Sequence, residues 1–261
     1  MNRNKRQKSE RNTSWEPLAA WYDGWMGAKG SRHHRQFAIP ALLRLMHLTA
    51  QDRVLDLGAG QGVLAPHVAK VGAAYVGVDL SHSMMRTARK HHGRLPKVRF
   101  VQGDVKALST LPSLKKGSFT TAVFLLSIQD MEPLDEVLRA ASWALAQNGR
   151  LLILMTHPCF RVPRQSGWGW DAERKLRFRR VDRYLTKLAV PLKKFPGQKK
   201  GKSRSFHRPL QDYVNAMGQN GLFIDNIVEI PVPVDEKNGR RADKLAQQEI
   251  PLFLGIRGIK K

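Results

Sequence analysis

The sequence predicts an α/β fold, a doubly wound and mostly parallel sheet, on three observations. Short apolar runs of strand length recur along the chain, and segments with apolar residues at helical spacing separate them. A glycine-rich turn or a carboxylate stands directly after each of the first three runs, at the end of the sheet where such folds bind ligands.

The elements follow in order. Residues 33–48 carry Phe37, Ala41, Leu45 and Leu48 at helical spacing, with Pro40 able to bend the helix. Val54, Leu55 and Leu57 form the first buried strand, and Gly58, Gly60 and Gly62 let the chain turn sharply and approach a ligand closely. A dinucleotide pattern would place glycine at position 63, where this chain has Val63, and would lack the carboxylate at Asp56. Residues 74–78 form the second strand and end at Asp79, a carboxylate suited to both hydroxyls of a ribose. Residues 98–101 form the third, followed by Gly103-Asp104-Val105. Residues 119–126 form the fourth. Leu134, Leu138, Ala141 and Leu145 then mark a helix closed by Asn148-Gly149, before a fifth strand at 151–155. Pro209 opens a last helix that Gly221 stops, and residues 222–230 and 250–256 supply two final strands.

Taken in order, Asp56-Leu57-Gly58-Ala59-Gly60-Gln61-Gly62, then Gly77-Val78-Asp79-Leu80-Ser81, then Val101-Gln102-Gly103-Asp104-Val105 resemble the class I S-adenosylmethionine-dependent methyltransferases. From Trp21 onward the chain is similar to the UbiE-like and generic type 11 branch, on Thr156-His157-Pro158 and the segment from Phe206 to Tyr213. The resemblance implies a Rossmann-like, seven-stranded sheet with an antiparallel edge, and S-adenosyl-L-methionine as cofactor. It implies that Gly58, Ala59, Gly60 and Gly62 wrap the methionine and ribose and that Asp79, with Leu80 beside it, binds the ribose hydroxyls. Gly103, Asp104 and Val105 would meet the adenine, while Asp56 supports the loop or the cofactor ammonium. Tyr22 stands where the family places a tyrosine over the cofactor, and it also suits an aromatic cover with Trp15, Trp21 and Trp25. Met84 serves either the adenine or the core, and Leu126 ends the fourth strand at the crevice.

Composition bounds the rest. The chain has 261 residues and one cysteine, Cys159, so neither an internal disulfide nor a multi-cysteine metal site is expected. No run approaches the roughly twenty apolar residues of a membrane span, and the charged N-terminus has no following apolar signal region. A cytoplasmic enzyme without a metal is expected. The formal net charge is +24, and residues 161–208 hold sixteen Lys and Arg against three acids.

That basic stretch interrupts the alternation of helix and strand. The expected organisation is a basic arm and cofactor-covering segment at 1–30, a core at 31–157 and 209–261, and a basic, aromatic lid or recognition insert at 158–208. Arg161, Trp168, Trp170, Tyr184 and Arg208 are the substrate candidates. Interleaved cations and rings can bind RNA, hold an acidic small substrate, or form a solvated loop, above all at 193–204. The fourth strand lacks the N/D-P-P-Y/F tetrapeptide of amino-methyltransferases acting on nucleic-acid bases, which favours a small-molecule acceptor. A nucleophilic role for Cys159, as in RNA cytosine-5 methyltransferases, lacks its companion cysteine after the fourth strand.

The implied chemistry is in-line displacement of the sulfonium methyl by an oxygen, nitrogen or carbon nucleophile, with a base where that nucleophile starts protonated. His157 and His207 flank the insert and are the first base candidates, with Asp130 third. Each also suits a plain structural duty, His157 at the strand end and His207 and Asp130 at helix starts. An RNA methyltransferase and a non-catalytic cofactor-binding or assembly protein remain the alternative readings.

Overall fold

The computed structural model describes residues 15–191, 203–233 and 240–261. A seven-stranded sheet is built from β1 (Arg53–Leu57), β2 (Ala74–Asp79), β3 (Val98–Gln102), β4 (Phe119–Leu125), β5 (Leu145–Thr156), β10 (Leu222–Ile230) and β11 (Phe253–Lys260). Its order is β10-β11-β5-β4-β1-β2-β3, with β11 antiparallel to both neighbours and the remaining pairs parallel. Chain order reverses between β1 and β4, which opens a crevice outside their carboxyl ends.

The sheet is buried on both faces, so its strands alternate between two cores. Leu55, Ala122, Phe124, Leu151 and Ile153 face α5 (Leu134–Ala144) and α6 (Leu210–Gln219). Val54, Val123, Leu125, Leu152 and Leu154 face α2 (Ile39–Met46), α3 (Ala65–Val71) and α4 (His82–His92). The remaining helices are α1 (Ala19–Met26) and α7 (Arg241–Glu249). Helix α5 shows the cause most plainly: Leu134, Val137, Leu138, Ala141 and Ala144 fall on one face and are all buried. Its three larger apolar side chains contribute about 1.5–3 kcal/mol each, so Leu138→Ala alone would cost about 2–5 kcal/mol. Among the described residues, no helix is long and apolar enough to cross a membrane.

Four expectations shift. The helix expected at 33–48 is a π-helical turn, His34–Ala38, running into α2. Pro40 has no N–H and its ring crowds the preceding turn, so Ile39 donates to the His34 carbonyl five residues back. Asn148-Gly149 does not end α5. The helix ends at Ala144, and the Lys260 ammonium donates to the Ser142 and Leu145 carbonyls at 2.6 and 2.7 Å, taking the place of a glycine cap. Asn148, at φ 60°, instead sits in a bulged stretch where the β4–β5 register slips. The last strand begins at Phe253, because residues before Pro251 belong to the end of α7, and it runs on to Lys260.

The fourth shift concerns the insert, which is ordered β structure over its described part. β6 (Ser166–Asp171) pairs antiparallel with β7 (Leu176–Val181), and β8 (Leu188–Pro191) with β9 (Arg204–His207). The β6–β7 turn is closed by the Asp171 carboxylate, which accepts the Arg174 N–H at 3.0 Å. Residues 1–14 of the expected arm at 1–30, and most of the expected solvated loop at 193–204, lie outside the described residues.

Candidate active site

A cavity of ≈ 580 Å³ lies at the carboxyl ends of the central strands. Sheet order lays out its wall. Moving from β3 through β2, β1 and β4 to β5, the strand ends present Asp104, Asp79, the glycine loop, Asp130 and Arg161 in turn. Neighbouring strands are about 4.8 Å apart, so residues far apart in sequence become adjacent stations along one groove.

The glycine loop is tied to its neighbour strand. Gly58 and Ala59 both donate to the Val78 carbonyl, at 2.8 and 3.0 Å. Gly60, at φ +53°, faces open space where a Cβ would project, which leaves bare backbone toward the cavity. Gly62 differs from the expectation, since it does not line the cavity. A Cβ there would come within 2.6 Å of the Phe100 ring, so this glycine serves close packing of α4 and β3 behind the loop. Asp79 braces the front: one oxygen accepts the Gly60 N–H and the other the Ser81 N–H, each at 2.9 Å. Each oxygen keeps a second lone pair for a ligand. Desolvation raises its pKa despite those two bonds.

Asp56 is 2% exposed and shares the face of the sheet that packs on α2–α4. The Tyr75 hydroxyl donates to Oδ2 at 2.6 Å, while Oδ1 has no protein partner. Burial pushes this carboxyl up to about 7. Gln61 Oε1 is likewise buried without a partner at the cavity wall. Two unsatisfied acceptors beside the glycine loop suit a ligand carrying N–H donors.

Tyr22, Leu80, Met84, Asp104, Val105 and Leu126 all line the cavity. Met84 is also 2% exposed, so its two alternative roles coincide in one position. Asp104 additionally accepts the Lys106 N–H at 2.9 Å and starts a short 3₁₀ turn. Gly103 does not line the cavity, and a Cβ there would come within 2.6 Å of the Leu111 side chain. The Tyr22 phenol is held well above its ordinary pKa by desolvation, with Asp130 and Asp79 adding to the shift.

The base candidates separate. His157 does not line the cavity: it is 2% exposed, Nδ1 accepts the Cys159 N–H at 3.2 Å, and Nε2 therefore donates to Glu229 at 2.8 Å. A ring locked on both nitrogens behind the wall is a structural residue, which corrects the sequence expectation. His207 does line the cavity, yet its Nε2–H is given to the Tyr184 carbonyl at 2.6 Å. Asp130, third by sequence, is the carboxylate that faces the cavity past β4. The Trp15 indole donates to it at 3.2 Å and Ser205 also hydrogen-bonds it, but desolvation still lifts its pKa to about 7.

The substrate candidates divide as well. Arg161 and Arg208 line the cavity, whereas Trp168, Trp170 and Tyr184 do not. Trp168 is enclosed by the guanidinium groups of Arg161, Arg177 and Arg179, 5.3–5.4 Å from its ring. Trp170 lies under Arg240, and the Tyr184 hydroxyl accepts the Leu210 N–H at 2.9 Å, holding the start of α6.

Comparison with known proteins gives the same picture. Residues 55–153 match a family described as a methyltransferase domain. An S-adenosylmethionine dependent methyltransferase from Mesorhizobium loti superposes with a TM-score of 0.70, covering 90% of this chain and 100% of that one at 27% identity. The demethylmenaquinone methyltransferase of Tropheryma whipplei is 31% identical over 121 residues, 45% of this chain and 48% of that protein. A ubiquinone biosynthesis O-methyltransferase of Xanthomonas euvesicatoria is 27% identical over 158 residues, 59% and 65% of the two chains. This chain thus spans from about half to just under two thirds of the length of these two curated relatives.

Residues 55–153 match the methyltransferase-domain family, and the chain as a whole shares the fold of the Mesorhizobium loti S-adenosylmethionine dependent methyltransferase.

The cavity also has lining residues that motif reading did not single out. Trp15, Ser127, Gln129, Ser205 and Tyr213 reach the cavity from four separate segments. Ser127 follows β4 directly, and position alone could have marked it. Its hydroxyl donates to the Leu57 carbonyl at 2.6 Å and so ties β4 to the glycine loop. Trp15 was foreseen only as part of an aromatic cover. It is placed by Glu16, whose carboxylate accepts from the Ser81 and Ser83 hydroxyls at 2.5 and 2.6 Å and from the Ser83 N–H at 3.0 Å. Those bonds hold the Glu16 carboxyl down at about 2 and pin the aromatic cover to the N-terminus of α4.

Proposed function

We propose that the protein transfers a methyl group from S-adenosyl-L-methionine to a nucleophilic oxygen, nitrogen or carbon of a small-molecule acceptor, with Asp130 as the base. When bound, the cofactor supplies a methyl group already activated on a sulfonium. Asp79 suits the ribose hydroxyls with its free lone pairs, Asp104 and Val105 the adenine, and Asp56 Oδ1 with Gln61 Oε1 the ammonium. Trp15, Tyr22 and Trp25 cover the groove and exclude water from it.

The observation that carries the reading is the position of Asp130, one strand over from the glycine loop with its carboxyl near pH 7. A carboxyl tuned there is ionised enough to accept a proton and basic enough to hold it. As the nucleophile bonds to the methyl carbon and the carbon–sulfur bond breaks, the proton of the nucleophile passes to Asp130. An RNA acceptor draws less support from the described insert. Arg174, Arg177 and Arg180 pair with Asp171, Asp243 and Asp182, and Arg179 donates to the Phe160 carbonyl at 2.8 Å.

Incubation with labelled methyl donor and separate metabolite, RNA and protein pools tests the acceptor class directly. Label is expected in the metabolite pool, with a rate that rises with pH through about 7 in the parent enzyme. Asp130→Asn should lose about 10²–10⁴-fold in rate together with that rise. Label confined to RNA would refute the acceptor class, and an unchanged pH profile in the variant would refute the base.

A further inference from the structure

One end of the cavity is rich in carboxylates, and two arginines line the other end beside Asp130 and Glu132. Asp56, Asp79 and Asp104 line it where β1, β2 and β3 finish, while Arg161 and Arg208 line it past β5 and at the end of β9. Arg161 is set up differently from the other cations of the insert, and Arg208 is only half paired. Arg177 and Arg180 have carboxylate partners, and Arg179 has a carbonyl and the Ser166 hydroxyl. Arg161, among the described residues, has no hydrogen-bond acceptor and no acid. Its Nε is buried without a partner, and its guanidinium meets the Trp168 face together with those of Arg177 and Arg179. Burial beside Arg179 lowers its pKa to about 10. Arg208 is 5% exposed. One of its terminal nitrogens serves the Met131 carbonyl and Glu132, and the other, Nη1, is buried without a partner.

An unpaired guanidinium drawn out of water toward two others is destabilising unless an anion completes it. The planar donor fork of arginine matches the oxygens of a carboxylate or phosphate two at a time. We propose that the acceptor carries an oxyanion group, a carboxylate or a phosphate, which Arg161 and Arg208 hold at the insert end of the cavity while its nucleophile faces Asp130. The proposal rests on the methyl-transfer reading above and names its substrate class. The oxyanion is the handle and is not itself methylated, so the product keeps its negative charge. The sheet layout separates this handle from the cofactor. Arg161 lies beyond β5, two strands from the glycine loop, while the ribose and adenine stations lie on the opposite side, beyond β2 and β3.

The test is calorimetry on the whole chain saturated with S-adenosylhomocysteine, using benzoate, phenyl phosphate and neutral benzamide as probes. One or both anions are expected to bind saturably, at least about tenfold more tightly than benzamide. Which of the two anions binds better separates the carboxylate from the phosphate source. Arg161→Gln should weaken anion binding at least about tenfold and leave S-adenosylhomocysteine affinity within about threefold, with Arg161→Lys intermediate because it keeps the charge without the fork. Equal binding of benzamide, or no binding of either anion at millimolar concentration, overturns the proposal. So does a loss of S-adenosylhomocysteine affinity in Arg161→Gln with anion binding intact, which would assign this guanidinium to the cofactor carboxylate. In a metabolite extract, labelled product should be retained on an anion exchanger, and label only in neutral or cationic fractions also overturns it. Absence of label from every pool would count against methyl transfer alone, because the binding measurements read the oxyanion site independently.

Discussion

Asp56→Asn should remove a pH dependence of stability that can be sized from the fold. Asp56 is 2% exposed, has one donor in Tyr75, and titrates at about 7 against an ordinary 3.8. The folded pKa is raised, so the folded chain holds a proton that the unfolded chain releases. The associated stability is complete below about pH 4 and is lost as pH rises through about 7. Between about pH 5 and 8 the loss is about two pKa units, or roughly 2–3 kcal/mol at 1.36 kcal/mol per unit. The amide in the variant does not titrate. Its own fixed cost, including an extra N–H₂ group in a buried place, cancels when the same protein is compared at the two pH values. Urea or thermal unfolding of the cofactor-free parent and Asp56→Asn at both pH values is the assay. The parent should lose about 2–3 kcal/mol more than the variant, equivalent to very roughly 5–10 °C in Tm for a chain of this size. Equal losses in the two proteins would show that the carboxyl is solvated or already ionised in the fold, and the reasoning from burial would fail.

Further outcomes follow from the same geometry. Asp79→Ala removes the ribose acceptor and should weaken S-adenosylhomocysteine binding about tenfold to a hundredfold by calorimetry, in a variant whose circular dichroism remains native. Gly62→Ala forces φ +73° on a residue with a side chain and drives Cβ to within 2.6 Å of Phe100, so it should destabilise by about 2–4 kcal/mol in urea unfolding. Lys260→Ala strips the donor from the last carbonyls of α5 and should cost about 1–3 kcal/mol, with faster hydrogen exchange at the end of that helix.

Local periodicity and turn chemistry in the sequence determined much of this protein. Val54, Leu55 and Leu57 followed by alternate glycines specify a buried strand and a bare-backbone turn, and the carboxylates Asp79 and Asp104 stand directly after the next two strands. These signals are legible because strand, turn and ligand contact lie within a few consecutive residues. Sequence did not decide which histidine or acid reaches the acceptor. His157 and His207 flank the insert symmetrically in sequence, yet pairing of β11 and β10 beyond β5 brings Glu229 to His157 and locks it outside the cavity. Asp130, third by sequence, moved to first only once β4 was placed beside β1 and Trp15 and Ser205 closed over it. The end of α5 was misread at Asn148-Gly149 because its true cap, Lys260, comes from more than a hundred residues away. The charge of the insert was visible in composition, but only strand pairing in the β6–β7 ribbon turned Arg177 and Arg179 onto Trp168 and left Arg161 facing the cavity without an acid. Short-range pattern sets which residues form each element. Long-range packing sets the neighbours of a titratable side chain, and those neighbours control its charge and chemistry.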